Sequence, residues 1–321
     1  MLNEKIRTCE YVSPKHPDKI CDQIADAILS AYLKKDKKAR VAVEVMGGHG
    51  VINISGEITS KAKGIKIRDI VEKVIYEGTD IDRDRLRYGG DNIKNRDKLK
   101  HNRYKININI THQSPFIAHG VDTGGAGDQG VMVGYACNET KSLMPLEYEL
   151  AKNLCLNIYK KYPYDGKTQV TIDGKKVTAV VASFQNTKTP ELEKLVRRLI
   201  KSEKYFINPA GEWPVGGFDA DSGLSGRKIV VDAYGPNVPV GGGSFAGKDL
   251  TKVDRSGAMM ARKIAVELLK KHKAKEVLVK LAYVIGVQQP VMAVALADGK
   301  LIEVKGRDLS TKGIVETLSF I

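Results

Sequence analysis

The chain has 321 residues, 42% of them hydrophobic and 28% charged, an ordinary balance for a globular protein long enough to build more than one core. No apolar run approaches the ~20 residues of a membrane span, and residues 1–10 (MLNEKIRTCE) are too mixed and polar for a secretory leader, so a cytoplasmic protein is expected. Lys and Arg number 52 against 38 Asp and Glu, a formal charge of +14, which points to an acidic partner, either a polyphosphate or nucleic acid.

In chain order, residues 7–12 form a candidate first strand. Residues 17–34 place Ile20, Ile24, Ala27, Ile28 and Ala31 on one face behind Pro17, which predicts an amphipathic helix with proline at its first position. Strands are expected over 40–46 and 51–58 about the GGHG turn at 47–50. A helix follows over 67–78, striped by Ile70, Val71, Val74 and Ile75. The basic block 93–105 (IKNRDKLKHNRYK) reads as a solvated loop. With aromatics at only 6%, a stacking platform for single strands is not expected and nucleic acid is a poor fit. Residues 105–110 alternate cleanly, as a half-buried strand does.

The order then recurs: a strand at 129–137, a helix at 145–161, a hairpin of 168–173 and 175–184 about an Asp-Gly turn, and a helix at 190–202. A third round has a strand at 228–234, a helix at 255–272, paired strands at 276–285 and 291–297, and a helix at 310–320. The expected class is α+β, three similar β-α-β-β-α units over 1–115, 124–215 and 216–321, free to exchange terminal strands, with helices on one face of mixed sheets. Sheets covered on one side must bury the other against a sister unit or a second chain, so a homo-oligomer is expected. Cys9, Cys21, Cys137 and Cys155 form no C-x-x-C pair and read as reduced, buried side chains, not zinc ligands or disulfides.

Four polar or glycine-rich segments fall at the junctions: HPDK (16–19), GGAGDQG (124–130), GLSGRK (223–228) and GGGSFAGKDLTKVDRS (241–256). Clustered glycines turn backbone N–H groups inward as an anion nest. Arg227, Lys228, Lys248, Lys252 and Arg255 lie in or beside two of these loops; the set suits a triphosphate. Magnesium on a polyphosphate takes one or two carboxylates, for which Asp18 and Asp254 are candidates, although a first-turn aspartate and an N-cap are ordinary structural roles for both. His16 at a helix start is a candidate phosphate contact. The spacing from Gly242 is that of a P-loop, but Asp249 stands where that motif needs a hydroxyl.

HPDK, GEIT (56–59), GAGDQG (125–130), GLSGRKIVVDAYG (223–235) and GGGSFAGKDLTKVDRS together resemble the S-adenosylmethionine synthetases, also called methionine adenosyltransferases, in the family's order over nearly the whole chain. The resemblance implies three domains about a pseudo-threefold axis, assembled as a homodimer or a dimer of dimers with active sites between subunits. It implies attack of the sulfur of L-methionine on C5′ of ATP, release of triphosphate and its hydrolysis to pyrophosphate and phosphate, with two Mg2+ per site and activation by K+. His16, Lys167, Arg227, Lys248 and Lys252 would be catalytic. ATP would be bound by His16, Asp128, Asp165, Lys167, Trp213, Asp221, Arg227, Lys228, Ser244 and Lys248. Glu57, Gln113, Asp221 and Lys252 would hold methionine, Asp18 and Asp254 magnesium, and Glu44 potassium.

The chain departs from the family in five places. Glu212 and Trp213 follow N-P-x-G where Arg-Phe is common, and Ser244 replaces a usual alanine. Residues 114–127, a gating segment in long members, are shortened, and 83–105 reads as an insertion, with an early C-terminus. Two other readings use the same residues: a P-loop-like kinase on 241–249, and an RNA-binding KH module on the GLSG loop.

Overall fold

The computed structural model describes residues 5–76, 104–112 and 124–318. The first round comprises β1 (Ile6–Val12), α1 (Pro17–Lys35), β2 (Arg40–Gly48), β3 (Val51–Thr59), α2 (Ile67–Tyr76) and β4 (Lys105–Thr111). The second comprises β5 (Gly130–Cys137), α3 (Leu146–Lys161), β6 (Gly166–Asp173), β7 (Lys176–Phe184), α4 (Thr189–Leu199) and β8 (Lys204–Ile207). The third comprises β9 (Gly223–Leu224), α5 (Ile229–Asp232), α6 (Val253–His272), β10 (Glu276–Tyr283), β11 (Met292–Ala297), β12 (Lys300–Glu303) and α7 (Thr311–Leu318). The class is α+β. None of the described helices is long and apolar enough to cross a membrane.

Each round gives its first strand to the sheet of the next. The three sheets run β4-β3-β2-β9, β8-β7-β6-β1 and β12-β11-β10-β5. The donated strand is antiparallel in each: β1 on β6, β5 on β10, and β9 on β2. The outermost strands β4 and β8 pair in parallel, whereas β12 closes a hairpin on β11. The β2–β3 hairpin turns on His49 and Gly50, both at positive φ (50° and 84°), the combination a two-residue primed turn requires.

One predicted strand is absent. Residues 228–234 (KIVVDAY) are β-branched and read as strand, yet Ile229–Asp232 is a helical turn, and only Gly223–Leu224 pairs with β2. The backbone reverses at Gly226, φ +71°, and the Tyr148 hydroxyl donates to the carbonyl of Val231 at 2.9 Å. These tertiary demands override an intrinsic preference worth ~1 kcal/mol.

The helices cover one face of each sheet and bury three separate cores. α1 packs Cys21, Ile24, Ala25, Ile28 and Leu29 on Val41, Val43, Ile52 and Ile54. α3 and α4 bury Leu154, Ile158, Leu192 and Val196 against Val170, Val180 and Phe184. α6 lays Ala261, Ile264 and Leu268 on Met132, Val279 and Leu281. α6 approaches β5 so closely that a Cβ added at Gly134 would stand 2.0 Å from the carbonyl carbon of Ala261. The obstacle is helix backbone, so it cannot rotate aside. Gly134→Ala is expected to cost about 1–3 kcal/mol of stability, read as a lowered denaturant midpoint; an unchanged midpoint would show that α6 has slack to move.

Candidate active site

A cavity of about 300 Å³ opens on the helix-free face of the second sheet, lined by Glu10, His16, Asp165, Lys167, Gln169, Ser183, Trp213 and Asp221 among others. Strand register builds its floor. Glu10, Gln169 and Val181 stand side by side across β1, β6 and β7, with Lys167 and Ser183 paired one step along. Asp165 is buried, which pushes its carboxyl above the ordinary range, while the N–H of Gly217 donates to it at 3.0 Å. Lys167 has no carboxylate within ion-pair distance among the described residues, so its charge is open to a ligand.

His16 forms the rim and caps α1: its Nδ1 accepts from the N–H of Asp18 at 3.2 Å. Burial, with Lys228 and Lys167 nearby, pushes its pKa down to about 4, so the ring is neutral near pH 7. With Nδ1 accepting, the proton resides on Nε2. His16 is therefore a hydrogen-bond donor and carries no charge.

Two residues further on, Asp18 begins a ladder of carboxylates one helical turn apart on α1. Asp18 is fully buried and accepts from the N–H of Leu224 at 2.9 Å, from Arg227 Nε at 2.9 Å and from Lys228 Nζ at 2.5 Å. Burial raises its pKa, but the bonds from Lys228, Leu224 and Arg227 outweigh it and the net shift is downward. Asp22 accepts from the N–H of Gly226 at 2.8 Å, and Asp26 from the N–H of Gly247 at 3.1 Å and Arg255 at 2.8 Å. The GLSG and GGGSFAGKD loops are thereby tied to one helix face. They also touch each other, since a Cβ at Gly226 would fall 2.4 Å from that of Ser244.

Asp254 does not cap α6 as expected; the N-cap is Lys252, and Asp254 lies inside the first turn. Its carboxylate reaches back to the glycine loop, accepting from the N–H of Gly243 at 2.7 Å and from Lys248 Nζ at 2.8 Å. Asp249, the residue that breaks the P-loop pattern, is buried. It accepts from the N–H of Val41 at 2.6 Å and the N–H of Thr251 at 2.8 Å, and pairs with Lys252 at 2.5 Å. It anchors the loop to the edge of β2. α6 starts only at Val253, four residues after Asp249, so the backbone is not a P-loop. The first half of the GLSG segment is itself strand β9, and the segment joins no two long helices, which removes the KH reading.

The remaining expected residues lie apart. Glu57 and Glu44 project from the open face of the first sheet, Glu57 opposite Ala42, which also bridges Lys248, and Glu44 bonded to the Ser225 hydroxyl. Asp128 is exposed ahead of β5 and is not among the residues that line the cavity. Gln113 and most of the 114–127 and 83–105 segments lie outside the described residues. Sequence reasoning missed Glu10, Gln169 and Ser183: Glu10 meets Gln169 only through a pairing across more than a hundred residues, whereas Ser183 faces Lys167 across the local hairpin of β6 and β7. It also missed Asp22 and Asp26, which the four-residue spacing from Asp18 could have revealed. Asp22→Ala should leave the Gly226 N–H without its acceptor and loosen the loop, read as faster amide exchange at 223–227; unchanged protection there would show that Asp22 does not hold it.

Three family models cover the chain in order: the S-adenosylmethionine synthetase N-terminal domain over residues 4–115, the central domain over 123–213 and the C-terminal domain over 215–317. An S-adenosylmethionine synthase of Helicobacter hepaticus is 38% identical, the alignment covering 98% of this chain and 88% of that protein. One from Prochlorococcus marinus strain AS9601 is also 38% identical, over 90% and 79%. A solved structure described as an unusual S-adenosylmethionine synthetase from Campylobacter jejuni superposes with a TM-score of 0.79 at 31% identity, covering 97% of this chain and 88% of that one. With all three domains matched and the glycine loops, cation pairs and cavity assembled on one helix, the chain belongs to the S-adenosylmethionine synthetase family.

Proposed function

We propose that the protein makes S-adenosylmethionine from ATP and L-methionine, and that the cavity and the two glycine loops are two halves of one nucleotide site. The observation that carries this is the position of residues 16–18. His16 lines the cavity, while Asp18 holds Arg227 and Lys228 of the first loop. A nucleoside in the cavity therefore has its 5′ end beside the cations. Trp213 offers a face for the adenine, and Asp165 and Asp221 offer acceptors for its polar groups. Ser244 Oγ, buried in the second loop without a partner among the described residues, can donate to a phosphate oxygen.

The chemistry matches this donor set. The methionine thioether uses a sulfur lone pair to form the S–C5′ bond as the C5′–O bond breaks, and triphosphate departs with that electron pair. No proton is removed, so no general base is needed, consistent with a neutral His16. The barrier falls through alignment and through charge stabilisation on the leaving oxygens, supplied by Lys167, Arg227, Lys228 and Lys248 with the Nε2–H of His16. Water then cleaves the triphosphate to pyrophosphate and phosphate at the same cations. Glu57, Lys252, Asp221 and Gln113 are assigned to methionine, and Asp128 to the nucleotide of a neighbouring subunit. That assignment suits a homodimer or dimer of dimers with sites between subunits, in which the exposed Met46 and Leu224 of the first sheet's open face are covered.

Asp18 and Asp254 fit magnesium by donor type: each is a single hard carboxylate, and phosphate oxygens and water complete the shell. Among the described residues, no three acidic, histidine or cysteine side chains are grouped to hold a metal. When bound, two Mg2+ would neutralise charge on the triphosphate, and K+ would sit at Glu44.

Incubation with ATP, methionine, Mg2+ and K+ should yield a sulfonium nucleoside with pyrophosphate and phosphate, detected by mass spectrometry; absence of the sulfonium product would sink the assignment. Lys248→Met should lower turnover by roughly 10²–10³-fold, as loss of one charge-stabilising donor does. Near-normal turnover would remove Lys248 from the site.

A further inference from the structure

Glu212 stands where a cation is common in the family, and its carboxylate is not directed at the cavity. The N–H of Thr189, first residue of α4, donates to its Oε1 at 2.9 Å, and Lys188 Nζ donates to its Oε2 at 2.9 Å. The N-cap residue of α4, Lys188, makes no side-chain cap bond of its own. Glu212 therefore caps the helix from another segment, with its negative charge at the positive end of the helix dipole. The ion pair is exposed, 74% and 37% at the two side chains, and such pairs contribute little alone. The cap bond is the stronger tie.

Trp213 follows directly and lines the cavity. Its carbonyl accepts from the N–H of Asn186 at 3.0 Å, and the next carbonyl, of Pro214, accepts from Gln185 Nε2 at 3.0 Å. The indole lies against Gly216, where a Cβ would come within 2.8 Å of its Cζ3. Those bonds seat the far side of the loop, and on the near side Glu212 supplies the side-chain tie.

We infer that Glu212 is a positioning residue: by capping α4 it latches the loop so that Trp213 stands preformed as the stacking wall for a purine base. The inference rests on the cavity being the nucleotide site. A wall already in place spares the base the cost of ordering it on binding, so loss of the latch acts on nucleotide affinity and leaves the chemical step alone.

Trp213 is the only tryptophan in the chain, so indole fluorescence reports on it alone. Acrylamide quenching of the full-length protein without nucleotide should rise in Glu212→Ala. In the same variant KM for ATP should rise roughly five- to tenfold, a part of one base stack, with kcat near wild type. Glu212→Gln keeps an acceptor for the Thr189 N–H and should restore most of both, and Lys188→Ala, which loses only the ion pair, should stay close to wild type. Unchanged quenching in Glu212→Ala overturns the latch, as does a Lys188→Ala variant that equals it. Should the wild-type protein make no sulfonium product, the nucleotide reading falls, while the quenching comparison still decides whether Glu212 holds the tryptophan.

Discussion

Helix α1 carries three aspartates a turn apart, and both cation-bearing glycine loops are fastened to them. Asp18 and Asp22 take the backbone of residues 224 and 226, and Asp26 takes that of residue 247. Glycine-rich backbone gains freedom that a binding site cannot use, and a charge-assisted bond to each amide removes it. The same helix begins at His16, on the rim of the cavity. One rigid element thus sets the distance between a base-sized hollow and a cluster of positive side chains.

The cyclic gift of strands makes this possible. β1 leaves its own round to complete the second sheet, and the chain then turns into α1, which packs on the first. HPDK therefore sits at the seam between two sheets. β9 returns the favour by completing the first sheet beside β2, which brings GLSGRK to α1. No round is a closed unit, so the seam cannot open without breaking a sheet. Close backbone approaches secure it: a Cβ at Gly223 would stand 2.3 Å from Pro17 backbone, and one at Gly247 2.4 Å from the Val43 carbonyl.

The loop cations are largely neutralised by the protein itself. Arg227 and Lys228 share Asp18, Lys248 pairs with Asp254, Lys252 with Asp249 and Arg255 with Asp26. Partly buried ions left unpaired would be costly, so the site holds its charges in balance until an anion competes for them. Lys167, which has no carboxylate within ion-pair distance among the described residues, is the exception across the cavity. On the function proposed above, a triphosphate would compete with these carboxylates for the lysines.

Much of this was legible in the residues. The apolar period of α1, the alternation of β4 and the hairpin of β6 and β7 are local, because side-chain period and turn chemistry are properties of a few neighbouring residues, although the turn falls on Gly174 and Lys175 and not on Asp-Gly. The glycine loops and their cations were visible for the same reason. What tertiary structure alone decided is which segments meet. The β-branched 228–234 holds a helical turn, with the Tyr148 hydroxyl on its Val231 carbonyl. Glu10 faces Gln169 only because β1 crosses to β6. Glu212, a lost cation in the sequence, is a helix cap in space. Composition and spacing determined which groups can bind phosphate; the pairing of distant strands, whose register no local pattern encodes, determined where they stand.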